Sequence, residues 1–242
     1  MFVILSGEGS TDIGQNSMSE HGVRFDPGPM ARILDRLIED HIGYSLLDTQ
    51  DCGGKCVRLV EEPELIACGK QGPRLLPGIK YGKETGFFTR NAQVLGILAK
   101  AECEKSGQPV VAVLFRDADG SRATPPTIWQ QKVDSIKRGF KLVGFDNGVP
   151  MVPRPKSEAW LLCALKNNPY VGCDALEDSP GNDASPNSLK RRLEELTRGE
   201  TSAQEQSRWV EEGKVDPKRI EMPSFAAFRD ALDSAVKNAL RD

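Results

Sequence analysis

The chain has 242 residues, is 38% hydrophobic and 28% charged, and carries a formal net charge of −3. That length suits one large α/β domain or a core domain with an appendage, and the charge excludes a generally basic nucleic-acid binder, so any such contact must come from local patches. No apolar run is long enough for a membrane helix, Met1–Ser6 has no basic n-region, and the six cysteines are expected as reduced thiols, which points to a cytoplasmic chain without membrane association.

Phe2–Leu5 reads as a short buried strand, followed at once by Gly7-Glu8-Gly9-Ser10-Thr11-Asp12. The glycines on either side of Glu8 allow a tight turn and a close backbone approach to a ligand, but Gly-x-Gly without a Walker lysine does not make a P-loop. Residues 13–29 read as a polar connection, a candidate flap over the site. Met30, Ile33, Leu34, Leu37 and Ile38 keep helical spacing from Pro29 to Ile42, and Gly43 closes that helix. Tyr44–Thr49 is expected as a second strand. Residues 51–83 read as an irregular insertion with at most short strands or a helix around Glu62–Cys68. Cys52, Cys56 and Cys68 fall there, without a fourth ligand at a familiar zinc spacing. Lys70, Arg74, Lys80, Lys83 and Arg90 give the region local positive charge, either as a phosphate-contacting face or as an ordinary solvated surface.

Thr89–Lys105 predicts a helix that feeds through Gly107 into Val110–Phe115, a continuous apolar run suited to an interior strand of a parallel sheet. Arg116-Asp117-Ala118-Asp119-Gly120 follows. Alternate residues of an extended segment share a side, so Asp117 and Asp119 can face one cation, and hard oxygen ligands suit Mg²⁺. The same two residues would also serve a turn or a helix cap. Thr124-Pro125-Pro126 predicts a helix start, with Gly139 ending or interrupting the helix. Val149–Val152 reads as another strand, and Ser157 as the cap of a helix beginning at Glu158. A glutamate in a first turn is favourable against the helix dipole without any catalysis. Residues 171–186 read as a loop, and helices are expected over 187–197, 203–212 and 224–240.

The alternation predicts an α/β fold, a mainly parallel sheet flanked by helices, with an inserted irregular segment and a helical C-terminal region. Its boundaries are a core over 1–168 and a helical extension over 169–242 packing on it. Glu8, Asp117 with Asp119, and Glu158 then all lie at strand ends on one edge, where ligands gather in open α/β sheets.

Glu8-Gly9-Ser10-Thr11-Asp12, Arg116-Asp117-Ala118-Asp119-Gly120 and Pro155-Lys156-Ser157-Glu158-Ala159-Trp160-Leu161-Leu162 resemble the Toprim domain, closest to the small Toprim-like, OLD-type nucleases associated with phage defence. The resemblance covers roughly residues 1–165. It implies a Mg²⁺- or Mn²⁺-dependent endonuclease acting on DNA or RNA. Glu8, Asp117 and Asp119 match the metal-binding acids, Glu8 serving as ligand or general acid/base. Asp12 and Glu158 match acids beside the site, Glu158 the stronger candidate for an additional ligand. Lys80, Lys83 and Arg90 are the candidate substrate contacts. The other reading is a non-catalytic or regulatory subunit that binds a separately encoded ATPase.

Overall fold

The computed structural model describes residues 1–19, 22–71, 83–118 and 125–241, and only the backbone at 70, 71 and 83–85. The chain opens with β1 (Phe2–Gly7), an antiparallel hairpin of β2 (Gly14–Ser19) and β3 (Gly22–Pro27), and helices α1 (Pro29–Ile42) and α2 (Leu46–Asp51). Next come β4 (Val57–Val60), α3 (Glu62–Gln71), α4 (Lys83–Ser106), β5 (Val110–Phe115), α5 (Pro126–Leu142) and β6 (Gly148–Met151). Helices α6 (Glu158–Leu165), α7 (Leu189–Leu196), α8 (Ala203–Glu211) and α9 (Pro223–Ala239) complete it, with a 3₁₀ turn at Asp174–Asp178.

All strands of the central sheet are parallel, in the order β4-β1-β5-β6. β5 is apolar at every position because both of its faces are covered. Val111, Val113 and Phe115 enter one layer with α1, α6 and α9, while Val110, Ala112 and Leu114 enter the other with α4 and α5. The same alternation splits β1, with Val3 and Leu5 in the first layer and Phe2 and Ile4 in the second. The fold is therefore the expected parallel α/β sandwich.

The C-terminal helices belong to the first layer. Trp160 of α6 lies against Phe225 edge-on at 4.9 Å and stacks near Phe228 at 5.7 Å, both on α9. α5 crosses α4 at Gly139, where a Cβ would stand 2.3 Å from the Thr89 carbonyl. Gly139 thus permits the crossing, and the helix runs past it instead of ending there.

Several expectations need correction. Residues 14–27 are a hairpin, paired from Gly14↔Pro27 to Ser19↔Gly22, where a polar connection was expected. Tyr44–Thr49 does not form a strand. Ser45 caps α2 by accepting from the Asp48 N–H, and the Asp35 carboxylate accepts from the amides of Leu46 and Leu47, so local capping overrides strand propensity. Within 51–83 the short strand and the helix fall where they were allowed, at Val57–Val60 and Glu62–Gln71, and the strand joins the edge of the main sheet beside β1. Cys163 and Cys173 form a disulfide, against the expectation of six reduced thiols, while Cys52, Cys56, Cys68 and Cys103 are free. No helix among the described residues is long and apolar enough to cross a membrane.

Candidate functional site

β1 leads out to α1 on one face of the sheet, and its neighbour β5 leads out to α5 on the other. Chain direction therefore diverges at the carboxyl edge between these two strands, and such a divergence leaves a crevice. The turn after β1 carries Glu8 and Asp12 to it, the residues after β5 carry Asp117, and the turn after β6 carries Ser157 and Glu158. Asp119 lies outside the described residues.

The β1 turn is built on backbone contacts. The Asp12 and Ile13 amides donate to the Gly9 carbonyl, and the Met30 amide at the start of α1 donates to the Asp12 carbonyl at 2.9 Å. Gly9 has φ +80°, and a Cβ there would lie 2.6 Å from Asp12 Oδ2, so glycine is what allows the carboxylate to fold over the turn. The β6 turn passes through a cis Arg154–Pro155 bond and is held from below by Arg154, which reaches Glu177 at 3.3 Å and Asp178 at 3.1 Å.

Strand alternation divides the acids into two groups. On the α1/α6 side, Ser157 joins two of them: its amide donates to Asp117 Oδ1 at 3.0 Å and its hydroxyl donates to Asp12 Oδ1. That hydroxyl is spent on Asp12 and does not cap α6, which corrects the sequence-based expectation. Glu158 stands next to it with a buried Oε2 that accepts no hydrogen bond from any described residue. Burial pushes the Asp12 carboxyl above its ordinary range, offset by the bonds from Ser157 and Thr11 and by Lys156, with Glu8 adding a further upward push. Burial likewise raises Glu158; its own amide and Lys156 oppose the rise, and Asp12 and Asp183 add to it. Lys156 pairs with Asp183 at 3.0 Å.

On the α3/α4 side, Arg116 donates to Glu8 at 3.0 Å and reaches Glu62 at 3.5 Å. Its guanidinium lies 5.2 Å from the centre of the Phe87 ring, and its side chain is 1% exposed. Beyond this pair opens a cleft of about 310 Å³ at the ends of β1 and β4, lined by Glu8, Glu61, Glu62, Gln15 and Asn16 above Ile13 and Leu59.

Thus Glu8, Asp12, Asp117 and Glu158 all reach one sheet edge, but Glu8 is drawn toward Arg116 while the other three gather around Ser157. Among the described residues, no group of three or more His, Cys, Asp or Glu side chains is arranged to hold a metal ion, Cys52, Cys56 and Cys68 included. Of the basic residues singled out as substrate contacts, Lys80 and the Lys83 side chain lie outside the described residues, as do Arg74 and the Lys70 side chain. Arg90 donates to the Gly69 carbonyl and ties α4 to α3.

Arg116, Glu62 and Ser157 were not recognised as site residues in the sequence. Period-two alternation places Arg116 opposite in phase to Asp117, which signals that it faces the other way but does not reveal its partners. Comparison of the chain with protein-family models, curated proteins and solved structures finds no match to any of the three.

Proposed function

We propose that the protein is a metal-dependent phosphodiesterase of the Toprim type, acting on DNA or RNA. The observation that carries this reading is the convergence of Glu8, Asp12, Asp117 and Glu158 on the crevice between β1 and β5.

The residue types suit a hard divalent cation, while the described ones are not arranged as a group of three ligands. Their donors are carboxylate oxygens, Glu158 Oε2 is buried without a hydrogen bond from any described residue, and Asp12 and Glu158 are both pushed toward neutrality by burial and by neighbouring acids. A nearby cation would relieve each of those costs. Asp117, Asp119 and Glu8 would hold it, with Glu158 beside them. When bound, Mg²⁺ or Mn²⁺ would neutralise charge on a scissile phosphate and acidify an attacking water. Ser157 fixes Asp117 through its amide and Asp12 through its hydroxyl, so two acids keep their orientation before substrate arrives. Lys156, whose charge acts on both Asp12 and Glu158, sits in the same turn and is paired with Asp183.

One observation favours the alternative of a regulatory subunit bound to a separately encoded ATPase: Glu8 already has a cationic partner in Arg116. Both readings meet in one experiment. Purified protein is incubated with DNA and RNA, with Mg²⁺ or Mn²⁺ against EDTA, and in parallel with a candidate ATPase partner. We expect metal-dependent cleavage that Asp117→Asn lowers by about a hundredfold or more while leaving the fold intact. Undiminished cleavage by a folded Asp117→Asn, Asp119→Asn variant removes the site. Absence of cleavage and of nucleic-acid binding at low salt, with and without the partner, favours the regulatory reading.

A further inference from the structure

The hairpin of β2 and β3 has one strand edge that the fold leaves open. Asn16 stands opposite Phe25, yet its amide turns away from β3 and donates to Glu61 Oε1 at 3.2 Å. Asn16 and Phe25 are therefore a pair that exchanges no backbone bonds, and Met18, two residues on, repeats that orientation. The outward groups of β2 are thus the amides and carbonyls of Asn16 and Met18. Among the described residues only the Asn16 amide has a partner, and that partner is a side chain, not a strand. Met18 is 83% exposed and Val23, across from it, 70%. Natural sheets blunt such an edge with lysine, proline or a bulge; Gly14–Ser19 carries neither residue, and its register is unbroken. The edge of the main sheet is treated differently. On β4 the Val57 amide donates to Gln50 at 2.8 Å, and the Leu59 carbonyl accepts from Asn16 Nδ2 at 3.4 Å.

The open edge runs into the cleft of about 310 Å³ at the ends of β1 and β4. Glu61, the acid on the Asn16 amide, lines that cleft together with Glu8 and Glu62. Arg116 offsets one of the three charges, so an excess of negative charge remains above the apolar Ile13 and Leu59. That combination fits the charged head and apolar stem of an arginine or lysine side chain. It disfavours a nucleic-acid backbone, and equally a second copy of this chain, which would bring the same acids to the same edge.

We propose that an extended segment of a partner protein adds as a strand to β2 at Asn16 and Met18 and lays a basic side chain in the cleft. Main-chain bonds supply the grip, and the side chain at the alternate position supplies the selectivity. In the free protein Glu61 occupies the Asn16 amide. A carbonyl of the incoming strand takes its place there, and the released carboxylate turns to the basic side chain. Met18 and Val23 offer apolar contact beside the added strand. This docking goes beyond the catalytic reading and needs no metal, so each stands or falls separately.

The test is fluorescence anisotropy of a labelled peptide alternating valine with arginine, titrated with the full chain in EDTA. The same titration is made with a peptide alternating valine with glutamate, and with the arginine peptide N-methylated at every amide. The protein variants are Met18→Pro and Glu61→Gln. Proline is tolerated on a strand edge, and at Met18 it removes an outward donor and covers the edge. We expect saturable binding of the arginine peptide that weakens about tenfold or more in Met18→Pro and on N-methylation, and about two- to fivefold in Glu61→Gln. The glutamate peptide is expected not to bind. Equal binding of the arginine peptide by wild type and Met18→Pro would overturn the strand addition. If Met18→Pro fails to fold, the N-methylated peptide decides alone, and undiminished binding of it overturns the strand addition likewise. Equal affinity for the glutamate peptide would overturn the basic side chain in the cleft. Absence of binding by the arginine peptide overturns the whole proposal. In that case a wild-type dimer that Met18→Pro dissociates assigns the edge to a second copy, and low-salt binding of single-stranded DNA that Met18→Pro removes assigns it to nucleic acid. None of these outcomes bears on cleavage by the acids around Ser157.

Discussion

Glu158 puts a carboxylate into a place that disfavours its charge. Its folded-state affinity for a proton is raised chiefly by burial, and Asp12 is raised for the same first cause. The native protein therefore holds protons at these groups in a range where the unfolded chain has lost them. Between the unfolded values, 4.5 for Glu158 and 3.8 for Asp12, and the higher folded ones, native proton uptake exceeds unfolded uptake. Stability contributed by the pair is thus fully present below the unfolded values and is lost as pH rises through the folded ones. Glu158→Gln is expected to melt at a higher temperature than the wild type at pH 7 in EDTA, with the gap closing as pH falls toward 4.5. Excess Mg²⁺ should narrow or reverse the gap at pH 7, because a cation makes the charged form welcome. A gap independent of pH and metal would show that the carboxylate carries no such penalty. None of this was written in the sequence, where Glu158 is a first-turn acid; only the fold reveals that the turn after β6 sinks it beside Asp12.

At the scale of elements, α9 begins without a side-chain cap of its own, with Met222 at the position before it. The missing acceptor comes from the 3₁₀ turn at Asp174–Asp178. Glu177, fully buried, accepts from the Ser224 amide at 2.7 Å with one oxygen and faces Arg154 at 3.3 Å with the other. One residue therefore ties the start of α9 to the turn that presents Ser157 and Glu158. Glu177→Gln keeps an acceptor for Ser224 but sets an amide against the guanidinium. We expect a loss of about 3 kcal/mol in denaturant unfolding, as when one partner of a buried pair is removed. A change under about 0.5 kcal/mol would mean that Asp178 alone satisfies Arg154. The helices with strong apolar spacing, such as Pro29–Ile42 and the last one, were legible because periodicity survives without tertiary context. The β5 strand was legible as an uninterrupted apolar run, which a strand covered on both faces requires. The hairpin was not, because Gly14–Ser19 has little strand propensity and is held by cross-strand pairing. α2 was misread because its caps include Asp35, which sits ten residues before Ser45 and whose role no local pattern exposes.

For the whole molecule, the two layers are unequal in origin. The layer with α4 and α5 is made by crossovers within the sheet, whereas the opposite layer is completed by residues far along the chain, including Trp209, Phe225, Phe228 and Val236. A chain cut after residue 168 would leave Trp160, Val149 and Met151 uncovered on that side. Burying one large side chain contributes roughly 1.5–3 kcal/mol, comparable in a handful of residues to the entire stability of a domain. Residues 1–168 alone are therefore expected to lack a cooperative thermal transition by circular dichroism; a sharp melt near that of the full chain would show an independent core. The sheet order has a further consequence, in time. β1 pairs only with strands made later, Val3 with Val57 and Phe2 with Val110, and it has no strand close in sequence to hold it. At a synthesis rate of roughly 5–20 residues per second, this most apolar opening segment waits on the order of 5–20 s at the ribosome before its second neighbour exists. Until then the strand that will sit inside the finished sheet keeps an unpaired edge, and a chaperone that recognises short apolar segments has an opportunity there.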